Sequence, residues 1–140
     1  QAVRSLGVKI KLNPQTAILK DKKVIVVDDS LVRGTTSKKV IELLRLAGAR
    51  EVHLRIASPP TINSCFYGVY TPEKSQLIAA GQDVKAICDF IGADSLSYLS
   101  HQGMFQALGA DSSASPEKRQ FCAACFDGKY PTPLFDSSQI

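Results

Sequence analysis

Asp28 and Asp29 stand side by side, and Gly34, Thr35, Thr36 and Ser37 close the same stretch, VIVVDDSLVRGTTS, residues 24–37. Its two ends suit different chemistry. A glycine that allows close backbone approach, followed by a run of hydroxyls, suits a phosphate. It does so best where a helix begins, because the first N–H groups of a helix are unpaired and the positive end of its dipole faces outward. Adjacent carboxylates repel the same anion, by about 3 kcal/mol per pair of unit charges at ~6 Å and an effective dielectric of ~20. A ligand with hydroxyls at one end and phosphate at the other satisfies both. The step from Asp29 to Thr35 can reach about 20 Å at most, enough to curl around a ribose 5-phosphate. The carboxylates would then accept from ribose hydroxyls. If a pyrophosphate also hangs from the sugar, Mg²⁺ would bridge its oxygens and the acids. A plainer reading stays open: the aspartates cap N–H groups of their own loop, and Thr or Ser opens the helix as an ordinary cap. The Walker loop is excluded, since no Gly-Lys-Ser/Thr follows at the required spacing.

The elements that would position these residues are legible around them. KVIVV, residues 23–27, is a β-branched run of the kind expected in a parallel strand covered on both faces. Val40, Ile41, Leu43, Leu44 and Ala47 recur at helical spacing, and Gly48 supplies the stop. Val52, Leu54 and Ile56 alternate in a second strand over 51–57. Strand, glycine loop, helix and strand make a βαβ unit, with the acids at the carboxyl edge where α/β sheets receive ligands. Val8, Ile10 and Leu12 alternate with Lys9 and Lys11 in a further strand or the end of a basic loop. Paired prolines make SPPTINSCFYG a loop. Short helices are expected over Pro72–Ala80 and Val84–Ile91, an edge strand over 95–99, and a helix capped by Ser100 that carries Met104, Phe105 and Leu108. From Gly109 the chain is polar and loop-like, apart from FCAACF.

Composition narrows the class. The chain has 140 residues, 44% hydrophobic and 21% charged, as in an ordinary globular domain. No apolar run reaches the ~18 residues of a membrane span. The net charge of +4 is scattered, which disfavours nucleic-acid binding. Cys122 and Cys125 form a C-x-x-C pair and Cys65 lies in the proline loop, a pattern that suits Zn²⁺ or an iron–sulfur centre; two merely buried thiols are the alternative. Cys88 sits on an apolar helical stripe and reads as a small core residue. His53, mid-strand, and His101, near a helix start, are poor ligand candidates. A reducing compartment, cytoplasm or plastid stroma, is expected.

An apolar strand, Asp-Asp, a short spacer and Gly-Thr-Thr resembles the phosphoribosyl pyrophosphate loop of type I phosphoribosyltransferases. VVDDSLVRGTTS, together with VKIKLNP, AGAREVHLRIASPP, CFYGVYTP, QLIAA (close to ELIAA), IGADSLSYLS and CAACFDGKYPT, is similar to the amidophosphoribosyltransferases within them. The likeness covers nearly the whole chain. It implies an α/β fold: a type I phosphoribosyltransferase-like parallel sheet flanked by helices, present as a partial domain. Residues 1–110 would be the C-terminal part of that domain and 111–140 an irregular segment bearing the C-x-x-C pair.

The implied activity is the first committed step of purine synthesis, in which glutamine-derived ammonia displaces pyrophosphate from phosphoribosyl pyrophosphate to give 5-phosphoribosylamine. By resemblance, Asp28 and Asp29 serve the ribose hydroxyls and Mg²⁺, and Ser30 belongs to the same loop. Val32, Arg33, Gly34, Thr35, Thr36 and Ser37 cradle the 5-phosphate, and Lys11 adds a phosphate contact. Cys65, Cys122 and Cys125 match three ligands of a structural 4Fe-4S cluster, whose fourth comes from upstream. Purine nucleotides as inhibitors and a homotetramer are implied likewise. The glutaminase nucleophile and the pyrophosphate-contacting loop have no counterpart in these residues, so neither glutaminase activity nor phosphoribosylamine formation is expected of this stretch alone. A non-catalytic phosphoribosyl pyrophosphate-binding regulator is the alternative, disfavoured by the lack of a helix-turn-helix or basic arm. A nucleobase-using transferase would not need the C-x-x-C tail.

Overall fold

A computed structural model describes residues 13–69 and 73–134. Lys11, with the strand or basic loop expected around it, lies outside the described residues. A single turn, α1 (Thr16–Leu19), leads into strand β1 (Lys23–Asp28). Helix α2 (Thr35–Leu46) then crosses to strand β2 (Glu51–Ile56), which lies parallel to β1 with Val24 opposite Val52 and Asp28 opposite Ile56. Gly48, at φ +89°, ends the helix as expected. Strand β3 (Ser95–Tyr98) extends the sheet in parallel beyond β2, in the order β1-β2-β3, with Ile56 opposite Tyr98.

One face of this sheet is the core. Val52, Leu54 and Ile56 are almost wholly buried, with Leu96 beside them. They pack under Ile41 of α2 and Ile87 and Ile91 of helix α4 (Val84–Ile91). Asp83 starts α4 by accepting from the Ala86 N–H at 2.7 Å, and Gly92 ends it in the left-handed region. The other face corrects an expectation. KVIVV reads as a strand covered on both sides, yet Ile25 is 66% and Val27 72% exposed. A β-branched run reports that a segment suits a pleated backbone; whether anything covers it depends on elements elsewhere. Here Val24 and Val26 pack against the core to which α2, α3 and α4 contribute.

A second difference lies before α4. The continuous helix expected over Pro72–Ala80 is instead a 3₁₀ turn (Lys74–Gln76) and the short α3 (Ile78–Gly81). Leu77 separates them in extended backbone and is 2% exposed. Driving Leu77 into the core requires that break. After β3, Ser100 caps α5 (His101–Ala107) by accepting from the Gly103 N–H at 3.0 Å, and Phe105 is completely buried. Leu108 falls past the helix end and is 52% exposed. A 3₁₀ turn (Pro116–Lys118) and the single-turn α6 (Ala124–Asp127) complete the described elements. No helix among the described residues is long and apolar enough to cross a membrane.

Asp94 joins three elements. Its Oδ2 accepts from the Val52 N–H at 2.5 Å and from Arg45 Nη2 at 2.6 Å, while its own N–H donates to Val52 O. The Val52 N–H, assisted by Arg45 and opposed by partial burial, holds the carboxyl below its ordinary range. A depressed folded-state pKa adds stability above the unfolded value and loses it as pH falls through the folded one. Asp94→Ala should therefore lower stability by about 1 kcal/mol at neutral pH. It should also flatten the fall in melting temperature below about pH 4, as measured by thermal melts of both proteins from pH 7 to pH 3.

Candidate functional site

Asp28 is the last residue of β1, and residues 29–34 carry the chain to α2. Leu31 is only 2% exposed and belongs to the core cluster with Ile41, Ile56 and Ile91. Sinking that side chain splits the loop into an acidic half before it and a glycine half after it. In the acidic half, Asp28 Oδ1 accepts from the Asp29 N–H at 3.0 Å and Asp29 Oδ1 from Ser30 Oγ at 3.2 Å. Only Asp28 thus caps an N–H of its own loop, while Asp29 takes a hydroxyl. Neither forms an ion pair among the described residues, and Asp29 is exposed.

In the glycine half, the Ile78 N–H donates to Val32 O at 2.9 Å. Gly34 is buried and left-handed at φ +73°. A Cβ there would meet Ile78 Cδ1 at 3.1 Å and Phe90 Cε1 at 3.3 Å, so backbone geometry and space both select glycine. Gly34 is also the N-cap of α2 and supplies no side-chain hydrogen bond. The other helices of seven residues or more, α4 and α5, are capped by Asp83 and Ser100. The start of α2 therefore keeps its N–H groups and dipole end open to an anion. Thr35 and Thr36 are exposed there, whereas Ser37 is 6% exposed and turned inward. Arg33 is exposed, and both its Nε and Nη2 donate to Gln76 Oε1, at 3.0 and 2.6 Å.

The sequence left Leu31, Gln76 and Ile78 without a role. Leu31 carries one local signal, an apolar residue inside an otherwise polar loop. Gln76 and Ile78 carry none, since their part depends on a contact across more than forty residues.

The cysteines occupy a separate region. The Ile62 and Asn63 N–H groups both donate to Cys125 O at 3.0 Å, and Tyr130 Oη donates to Ser64 O at 2.6 Å, fastening the proline loop to the C-terminal segment. Phe66 and Tyr67 pack their rings against Tyr130. Burial pushes the Cys125 thiol up, and the two hydrogen bonds to Cys125 O hold the loop that carries Cys65 beside the turn that carries Cys125. Yet among the described residues no group of three or more His, Cys, Asp or Glu side chains is gathered closely enough to hold a metal ion. Cys122 precedes the α6 turn and is exposed, while Cys125 lies within it and is half-buried. Cys88 behaves as the core residue expected, donating to Ala93 O at 3.2 Å with burial raising its thiol pKa. His53 is held between Ser95 Oγ at 2.8 Å and Glu51 at 3.3 Å. His101 Nε2 lies 3.5 Å from Asp127, whose carboxylate pairs with Arg119.

Comparison with known proteins shows what the chain and its fold are similar to. The Phosphoribosyl transferase domain family model matches residues 1–58. The chain is 54% identical to amidophosphoribosyltransferase 2, chloroplastic, of Arabidopsis thaliana over 94% of its own length, and 44% identical to the Bacillus subtilis amidophosphoribosyltransferase over its whole length. The fold superposes with a TM-score of 0.82 on glutamine phosphoribosylpyrophosphate amidotransferase from B. subtilis, covering 98% of this chain at 44% identity. These relatives, at 44–54% identity, are amidophosphoribosyltransferases. The chain spans 22% of the Arabidopsis relative and 29% of the Bacillus one. The parallel sheet flanked by helices is the part of a type I phosphoribosyltransferase fold that such a share allows.

Gly34→Ala should cost about 1–2 kcal/mol from the left-handed backbone alone, with the contact against Ile78 adding to it. Urea unfolding of the two proteins should resolve that difference, and inorganic phosphate should bind the variant more weakly if the loop is the cradle.

Proposed function

We propose that residues 28–37 bind phosphoribosyl pyrophosphate with Mg²⁺, as part of an enzyme that forms 5-phosphoribosylamine from it with glutamine-derived ammonia. One observation carries this reading. A single loop, pinned at its middle by Leu31, presents carboxylates at the end of β1 and an uncapped, glycine-led helix start on its other side. The relatives named amidophosphoribosyltransferase support the same substrate.

In this reading the N–H groups at the start of α2, with Thr35 and Thr36, hold the 5-phosphate, and Arg33 adds a charge-assisted contact. Ser37 contributes through its backbone, its side chain being turned inward. Asp28 and Asp29 accept from the ribose hydroxyls through their unused oxygens and hold Mg²⁺ directly or through water; Ser30 steadies Asp29 at 3.2 Å. The metal, when bound, supplies positive charge against the departing pyrophosphate. No nucleophile or proton carrier is needed from this loop, because an oxocarbenium-like sugar requires positioning and charge stabilisation. Lys11 is proposed as a further phosphate contact on resemblance alone.

Cys65, Cys122 and Cys125 are proposed as three ligands of a structural 4Fe-4S cluster. The C-x-x-C spacing and the tie between the Cys65 loop and Cys125 support this, while the three thiols are not gathered for a metal in this structure. Purine nucleotides as inhibitors are carried over in the same way, the solved B. subtilis relative being a complex with ADP and GMP. A homotetramer and a plastid or cytoplasmic setting follow by the same analogy.

Asp29→Asn in the intact protein should weaken Mg²⁺-dependent binding of phosphoribosyl pyrophosphate by about tenfold or more, while inorganic phosphate binds no less tightly. Isothermal titration separates the two ends of the loop in this way. Unchanged affinity for the magnesium complex would sink the assignment. For the cysteines, anaerobically purified intact protein should contain iron and sulfide, and Cys125→Ser should reduce both; zinc or no metal in the unsubstituted protein removes the cluster and leaves the sugar-phosphate site standing.

A further inference from the structure

We infer that Gln76 is a positioning residue for the anion cradle, acting through Arg33. The inference rests on the phosphate site proposed above and extends it to a segment more than forty residues away. Three contacts moor the cradle to residues 73–81. Gln76 Oε1 receives two N–H groups of the Arg33 guanidinium, at 3.0 and 2.6 Å. The Ile78 N–H donates to Val32 O at 2.9 Å, and Ile78 Cδ1 closes the space over Gly34. The mooring segment is itself fixed, since the Gln76 N–H donates to Glu73 O at 2.8 Å and Leu77 is 2% exposed in the core.

Gln76 has the right chemistry for this task. An exposed arginine carries about 2 kcal/mol of rotamer entropy, which an anion must otherwise quench on binding. The fork on Gln76 quenches it beforehand, and it occupies only two of the five N–H donors that a guanidinium offers. The amide oxygen is neutral, and Arg33 has no ion pair among the described residues. The full positive charge therefore stays available to a phosphate, held in one direction.

The test is a double-mutant cycle on the intact protein, titrated with ribose 5-phosphate in the absence of Mg²⁺ so that the aspartate–metal half does not contribute. Gln76→Ala should weaken binding about fivefold, the size of one lost hydrogen bond. Arg33→Ala should weaken it at least as much. The double variant should bind like Arg33→Ala alone, since Gln76 acts only through that side chain. Gln76→Glu, which keeps an acceptor at the same reach but cancels the charge, should bind no better than Gln76→Ala; a merely structural role, restored by any acceptor of that reach, would show rescue. If the unsubstituted protein binds ribose 5-phosphate and Gln76→Ala binds it equally well, the inference falls while the cradle stands. Losses that multiply in the double variant, or a Glu variant that binds as well as the unsubstituted protein, overturn it too. If the unsubstituted protein fails to bind ribose 5-phosphate, the cradle itself is wrong and this inference falls with it.

Discussion

Burial of Leu31 in the middle of an otherwise polar loop is the contact on which the candidate site depends. Removing that side chain from water stabilises the fold by about 2 kcal/mol, and it ties the loop to Ile41, Ile56 and Ile91. The geometric consequence outweighs the energetic one. The buried Leu31 sets the acidic half of the loop before it and the glycine half after it. In the proposed function this arrangement turns the repulsion between carboxylates and a phosphate into a separation of tasks, with hydroxyls and a divalent cation assigned to the acids and the phosphate to backbone N–H groups.

The sheet places that loop. Parallel pairing of β1 with β2 brings Asp28 opposite Ile56, and β3 brings Tyr98 to the same level, so three strands end on one edge. The edge has two buried polar atoms without hydrogen-bond partners among the described residues, Ser58 Oγ and Tyr98 Oη, and burial pushes the Tyr98 hydroxyl up to about 12. It is the least satisfied part of the core, where α/β sheets meet ligands. The opposite face of β1 is the other open surface, with Ile25 and Val27 largely exposed.

Farther along, polar ties take over from apolar packing. Hydrogen bonds from residues 62 and 63 to Cys125 O, the Tyr130–Ser64 contact and the Arg119–Asp127 pair hold the C-terminal segment in place. Arg119 also lies over the Phe105 ring. Burial works against the charge of Asp127, yet Arg119 and the Lys129 N–H keep its carboxyl below the ordinary range. This anchors α6, and with it Cys125, to α5.

By itself the sequence determined the elements and the chemistry of the loop. Alternation at Val52, Leu54 and Ile56, helical spacing from Val40 to Ala47, and stops at Gly48 and Gly92 are local patterns, and local sterics set them. The paired acids followed by Gly34, Thr35 and Thr36 suggested the proposed two-ended ligand for the same reason: every relevant group lies within a few residues. Tertiary structure alone decided which side of β1 is covered, that Leu77 breaks a helix in order to reach the core, that Ser37 turns inward, and that Gln76 holds Arg33. Those outcomes depend on which distant surface arrives first at each side chain. No short-range periodicity encodes that, because burial and a long-range hydrogen bond are properties of two segments and not of one.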